Sequence, residues 1–175
     1  MAVGILAFVD CGGATEEQRV TAKYNNVTGK LSQLSVDASA DGKPNITSYM
    51  DGTKFVRIEI DTNEDGKIDR WEHYDADQTL QRVGFSRAND GIADAWAFKA
   101  ADGSVQRVEV STRRDGKTNR TEFYEQGALA RAEEDTDADG RVDKWERYEF
   151  GALVSVAFDT TKSGKPTTTI DYGKP

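Results

Sequence analysis

Asp61-Thr-Asn63-Glu-Asp65-Gly66-Lys67-Ile68-Asp69-Arg-Trp71-Glu72 puts oxygen-bearing side chains at positions 1, 3, 5, 9 and 12 of a twelve-residue stretch, with glycine at 6. The pattern returns 74 residues later as Asp135-Thr-Asp137-Ala-Asp139-Gly140-Arg141-Val142-Asp143-Lys-Trp145-Glu146. The glycine itself recurs at Gly42, Gly66, Gly91, Gly116, Gly140 and Gly164, always 24 or 25 residues apart. A fixed period of this size marks a repeat architecture with one supersecondary unit per repeat. Between these glycines lies a second set of turn signals: Gly29, Asp51-Gly52, Asp77-Gln-Thr79, Asp102-Gly103, Gln126-Gly127 and Phe150-Gly151. Each unit therefore holds two turns and two short segments.

Those segments alternate. Val56-Arg-Ile58-Glu-Ile60, Val83-Gly-Phe85, Val108-Glu-Val110 and Val154-Ser-Val156-Ala-Phe158 carry an apolar residue at every second place, the period of a strand. A pair of flanking helices does not fit the residues left outside each loop. The expectation is an all-β chain, an array of about six to seven β-hairpins with 12–13 antiparallel strands in meander order, forming an extended or rolled sheet. Residues 1–11 are expected to be a signal or lipid-attachment remnant, 12–23 a tether, and 24–175 the repeat domain.

The loop spacing is that by which an EF-hand loop wraps calcium, position 7 giving its backbone carbonyl. In a strand–loop–strand setting it resembles instead the calcium hairpins of FG-GAP (integrin-type) repeats, whose positions 1, 3, 5, 7 and 9 bind. That resemblance implies the ligand sets Asp61, Asn63, Asp65, Lys67 (carbonyl) and Asp69, and Asp135, Asp137, Asp139, Arg141 (carbonyl) and Asp143. Glu72 and Glu146, at position 12, join them if the outgoing strand starts late. Tyr124-Glu-Gln-Gly-Ala-Leu129 and Tyr148-Glu-Phe-Gly-Ala-Leu153 resemble MORN-type hairpins. Taken together the chain is similar to the repeat arrays of bacterial lipoproteins with EF-hand-like calcium loops. The other four loops decay stepwise. Those beginning at Ser86, Ser111 and Asp159 read as plain turns, with Arg113 replacing the metal by its own cation in the second of these; the loop beginning at Asp37 keeps two carboxylates.

Net charge is −8, which argues against nucleic acid and anionic membrane as partners. The two full loops account for much of that acidity, and two divalent ions would halve it. One histidine (His73) and one cysteine (Cys11) exclude an internal disulfide and a four-ligand Cys/His zinc site. No Gly-rich phosphate loop or Ser-His-Asp set appears, so no enzyme is expected. Ala2-Val-Gly-Ile-Leu-Ala-Phe-Val9 is too short to span a bilayer and reads as the apolar part of a secretion signal. Cys11-Gly-Gly resembles the start of a mature bacterial lipoprotein, with the lipid on Cys11; Asp10 departs from that pattern. Simple secretion and an ordinary buried strand are the alternatives.

Trp71, Trp96 and Trp145 share one repeat position, and Tyr74, Tyr124, Tyr148 and Tyr172 another three places on, so the rows take opposite faces. The tryptophans are expected in the core with Ile58, Ile60, Val108 and Val156. Arg57, Arg82, Arg107 and Arg131, with Glu59, Glu109 and Glu133, suggest a solvated face of cross-strand ion pairs. The functional expectation is a calcium-stabilised structural or binding repeat protein outside the cytoplasm, secreted or a surface or periplasmic lipoprotein. Alternatives are a carbohydrate- or protein-binding adhesin or accessory subunit, and an enzyme with structural calcium.

Overall fold

Alternating strands separated by two kinds of turn produce a meander. The computed structural model describes residues 19–173, and these contain thirteen strands and no helix. They are β1 (Arg19–Tyr24), β2 (Leu31–Asp37), β3 (Ile46–Asp51), β4 (Lys54–Ile60), β5 (Arg70–Tyr74), β6 (Leu80–Phe85), β7 (Ala95–Lys99), β8 (Val105–Val110), β9 (Arg120–Glu125), β10 (Ala128–Glu134), β11 (Lys144–Glu149), β12 (Ala152–Phe158) and β13 (Thr168–Asp171). All pair antiparallel in sequence order within one sheet, each strand's backbone bonded only to its sequence neighbours. The sheet is open and one layer thick. β1 takes in residues 19–23 of the stretch assigned to the tether (12–23), which are strand paired to β2.

The two turn classes segregate to opposite ends of the strands. At one end, tight turns join β1 to β2 and each later odd-numbered strand to the next even one. Gln126-Gly127 and Phe150-Gly151 have both φ values positive (51° and 78°; 52° and 81°), the two-residue hairpin turn whose twist matches that of the strands. Every tight hairpin carries a register shift near its turn, for example between His73 and Tyr74 opposite Arg82 and Leu80. Such bulges sharpen the local twist. At the other end lie six long loops, 37–45, 61–69, 86–94, 111–119, 135–143 and 159–167.

Register decides the faces. The Asp69 N–H donates to the Ile60 carbonyl (3.0 Å), so Ile60 pairs with Arg70, Ile58 with Glu72 and Glu59 with Trp71. Trp71 therefore faces away from Ile58 and Ile60. The same parity holds at Trp96, which pairs with Glu109 beside Val108, and at Trp145, which pairs with Ala157 beside Val156. The expectation of a tryptophan core is overturned: the three indoles are half-buried on the face opposite the valines.

The valine face is the more enclosed one. The buried apolar side chains among the described residues are Val83, Ala95, Val110, Ala132, Val154 and Val156, and each buried valine contributes roughly 1.5–3 kcal/mol. The same face carries acid–base–tyrosine groups, Arg70–Glu72–Tyr74, Arg120–Glu122–Tyr124 and Lys144–Glu146–Tyr148. Arg120 links three strands, donating to Glu122 (2.9 Å), Glu134 (3.2 Å) and Glu146 (2.6 Å). On the tryptophan face Arg57, Arg107, Arg131 and Arg147 pair along their own strands rather than across, as Arg57–Glu59 and Arg107–Glu109 do at 3.0 Å. Three of these guanidinium groups also stack on the neighbouring strand's ring: Arg57 on Tyr49 (3.9 Å), Arg107 on Phe98 (3.7 Å) and Arg131 on Phe123 (3.5 Å). A guanidinium over an aromatic face gains about 0.5–1 kcal/mol at an exposed site.

Candidate metal centre

The six long loops share one backbone. Position 4 is left-handed in every loop (Ala40, Glu64, Asn89, Arg114, Ala138, Lys162), as is the glycine at position 6, with φ 88° at both Gly66 and Gly140. A non-glycine residue in that region costs about 1–2 kcal/mol. Local hydrogen bonds hold it there. The position 5 side chain accepts from the position 7 N–H, as in Asp65 from Lys67 (2.9 Å) and Asp139 from Arg141 (3.0 Å). The position 9 side chain accepts from the position 2 N–H in all six loops, as in Asp69 from Thr62 and Asp143 from Thr136 (2.9 Å each). The first is an Asx-type turn, in which the short side chain imitates a backbone turn; the second ties the two ends of the loop together.

Neighbouring loops are also bonded to one another. The position 1 N–H donates to the position 9 carbonyl of the preceding loop: Asp61 to Asn45, Ser86 to Asp69, Ser111 to Asp94, Asp135 to Asn119 and Asp159 to Asp143, all at 2.8–2.9 Å. The loops thus form one continuous ridge along an end of the sheet.

Position 1 separates the loops chemically. Asp61 accepts from the Asp65 and Gly66 N–H groups (3.2 and 2.8 Å), and Asp135 from Ala138 and Gly140 (2.7 and 2.9 Å). In the third and fourth loops the residue is serine, whose hydroxyl donates to the position 5 carboxylate: Ser86 to Asp90 (3.1 Å) and Ser111 to Asp115 (2.9 Å). An Asp at position 1 has no proton to offer there, so acidic groups gather with no internal donor between them. In the fifth loop, carboxylate oxygens of Asp135, Asp137 and Asp143 all lie within 4.8 Å of one another. Calcium–oxygen distances of about 2.3–2.6 Å put opposite ligands roughly 5 Å apart, so this group has the span and the hard-oxygen chemistry of a calcium shell. Asp139 lies in the same loop but not in that group. The second loop brings Asp61, Asn63, Asp65 and Asp69 onto the same backbone, with an amide at position 3: Asn63 Nδ2 donates to Asp65 (3.3 Å).

Glu72 and Glu146 stand apart from the loops. Glu72 takes hydrogen bonds from Arg70 (2.9 and 2.6 Å) and Tyr74 (2.7 Å); Glu146 takes them from Arg120 (2.6 Å), Lys144 (2.7 Å) and Tyr148 (2.9 Å). Burial alone would raise the Glu146 carboxyl, but these bonds outweigh it and hold it down at about 2. The strand begins at position 10 of each loop, early enough to turn position 12 onto the valine face. Tyr124 and Tyr148 are likewise half-buried on that face, bonded to Glu122 and Glu146. Cys11 lies outside the described residues.

Cations bridge neighbouring loops in ways that escaped sequence reading: Arg87 donates to the Ser111 carbonyl (3.2 Å) and Arg141 to the Lys162 carbonyl (3.5 Å), and Arg113 and Lys162 also reach beyond their own loops. Arg113 does not fill its own loop; its guanidinium donates to the Asp135 and Thr136 carbonyls of the next loop (3.3 and 2.8 Å). Lys162, at position 4 of the sixth loop, reaches back to Asp137 (2.7 Å) and Asp139 (3.1 Å). Those two carboxylates raise the Lys162 ammonium to about 12, and Lys162 in turn lowers Asp137. The one signal available was a lysine at the same repeat position as Asn89.

No protein-family model matches the chain, and no curated protein does. Among solved structures it is similar to accessory secretory proteins 1, 2 and 3 of Streptococcus pneumoniae, with 14% identity and a TM-score of 0.32, over 68% of this chain and 20% of that one. The chain thus spans about a fifth of that neighbour's length, and a likeness of this size says nothing about what it does.

Proposed function

We propose that this chain is a calcium-stabilised structural or binding repeat protein that works outside the cytoplasm and performs no catalysis of its own. The observation that carries the reading is the convergence of Asp135, Asp137 and Asp143 within 4.8 Å on a loop backbone shared with Asp61, Asn63, Asp65 and Asp69. Three carboxylates at that distance repel one another unless a cation lies among them, and Lys162 already answers part of that field. The Lys67 and Arg141 carbonyls and solvent complete the shell of six to eight oxygens. Attachment through a lipid on Cys11 rests on the Cys11-Gly-Gly stretch.

Thermal melts in calcium and then in excess chelator test the reading. If the sites bind like extracellular modules, at about 10⁻⁴–10⁻³ M, saturation at ten times the dissociation constant stabilises the fold by roughly 1.4 kcal/mol per site. Two sites then raise the melting temperature by several degrees. The rise disappears in the Asp65→Ala/Asp139→Ala double variant. Superimposable melts with and without calcium would remove the metal from the account.

A further inference from the structure

On the tryptophan face β12 is the one even-numbered strand with two short side chains; β2 (Gln33, Ser35) and β6 (Arg82, Gly84) each keep one long one. Arg57/Glu59, Arg107/Glu109 and Arg131/Glu133 occupy equivalent places on β4, β8 and β10, whereas β12 carries Ser155 and Ala157 there, opposite Arg147 and Trp145. Two long side chains give way to two short ones. The result is a groove of about 230 Å³, lined by Arg131, Glu133, Trp145, Arg147, Ser155 and Ala157. The other two indoles are already covered. Trp71 and Trp96 pack together at 6.3 Å, and Trp96 also lies against His73 (5.4 Å), beneath Arg82 (4.4 Å) and close over Gly84. Among the described residues Trp145 has neither an aromatic partner nor a guanidinium over its ring.

We infer that this groove is a subsite for one pyranose ring of a glycan. A pyranose has an apolar C–H face that lies flat on an indole, and a rim of hydroxyls that both donate and accept. Arginine only donates and ionised glutamate only accepts. The Arg131–Glu133 pair beside Trp145 therefore suits a vicinal diol, one hydroxyl accepting from the guanidinium and its neighbour donating to the carboxylate. Arg147, paired with Glu149, and the Ser155 hydroxyl offer further polar contacts on the other side. The volume is below the roughly 300 Å³ at which drug-sized pockets begin, which limits the occupant to about one ring. An apolar side chain from a protein would strip water from two ion pairs and give nothing back. A phosphate needs an uncommitted positive charge, and both arginines are paired. A nucleobase would bring a polyanion to a chain of net charge −8. The groove lies on the sheet face, beginning two residues from Asp143, and is argued from strand side chains rather than from the metal reading.

The three indole N–H signals in a nitrogen-15 correlation spectrum, assigned through Trp→Phe variants, report the site directly. The probes are methyl glucoside, galactoside, mannoside, N-acetylglucosaminide and glucuronide, each also as its short oligosaccharide. At least one is expected to shift the Trp145 signal saturably while leaving those of Trp71 and Trp96 in place, with or without chelator. Ala157→Glu restores the residue that the repeat carries elsewhere and fills the groove. It should weaken binding at least tenfold, which is about 1.4 kcal/mol, at an unchanged melting temperature. Ser155→Arg is the second filling variant, should the first perturb the fold. The inference is overturned if no probe moves the Trp145 signal, if all three indoles shift alike, or if the filled groove binds as tightly as the open one.

Discussion

Glu146→Gln separates a strand-face ion network from a metal shell. Glu146 sits among Arg120, Lys144 and Tyr148, its side chain 9% exposed. Hydrogen bonds from these three outweigh burial and bring its carboxyl from 4.5 to about 2. At about 1.4 kcal/mol per pH unit the drop converts to roughly 3 kcal/mol; solvent at the open face trims this to about 2 kcal/mol. The sign follows from the direction. A carboxyl held lower in the folded state stabilises it fully above the unfolded value near 4.5, and that contribution is lost as pH falls through about 2. Denaturant unfolding of both proteins from pH about 7 down to about 2 should give a gap of about 2 kcal/mol that closes toward the acid end. Glu149→Gln, whose partner Arg147 is 55% exposed, should cost well under 1 kcal/mol. A gap that stays constant with pH would refute the electrostatic basis. Loss of the calcium-dependent rise in melting temperature in Glu146→Gln would return this residue to the metal shell.

The Lys162 ammonium on Asp137 and Asp139 competes with any metal at the fifth loop. In a background carrying Asp65→Ala, Lys162→Met should tighten calcium binding severalfold by calorimetric titration; unchanged affinity would show that the lysine is a bystander. Phe150 holds φ 52° at a hairpin tip while 99% exposed, so it loses no packing on replacement. Phe150→Asn, a residue that tolerates the left-handed region, should raise stability by about 0.5–1 kcal/mol, and a denaturation midpoint at or below the parent's would contradict that account of the turn.

Strand identity, period and turn positions could be read from the chain because each is a local pattern. Val108-Glu-Val110 alternates by itself, and Gly116 marks its loop without reference to anything distant. Faces could not. Whether Trp71 joins Ile58 or opposes it turns on the single hydrogen bond from Asp69 N–H to Ile60 O, one residue of parity that composition does not record. The same parity removes Glu72 and Glu146 from the loops, although the spacing of the acidic set in 61–69 and 135–143 was plain. β1 passed for a tether because Arg19–Tyr24 has no glycine loop before it and every one of its residues is exposed. Arg113 and Lys162 were misjudged or missed for a third reason: each side chain works on a loop one repeat away, which a reading confined to single loops does not reach.

A sheet in which each strand's backbone pairs only with the strands on either side has no seam that counts its members. Adding or excising one whole unit would leave every surviving junction as it was, so length becomes something that duplication can adjust freely. Loss of structure in such an object proceeds by peeling from the rim, where β1 and β13 lie bare, more like a zip than like the collapse of a globule.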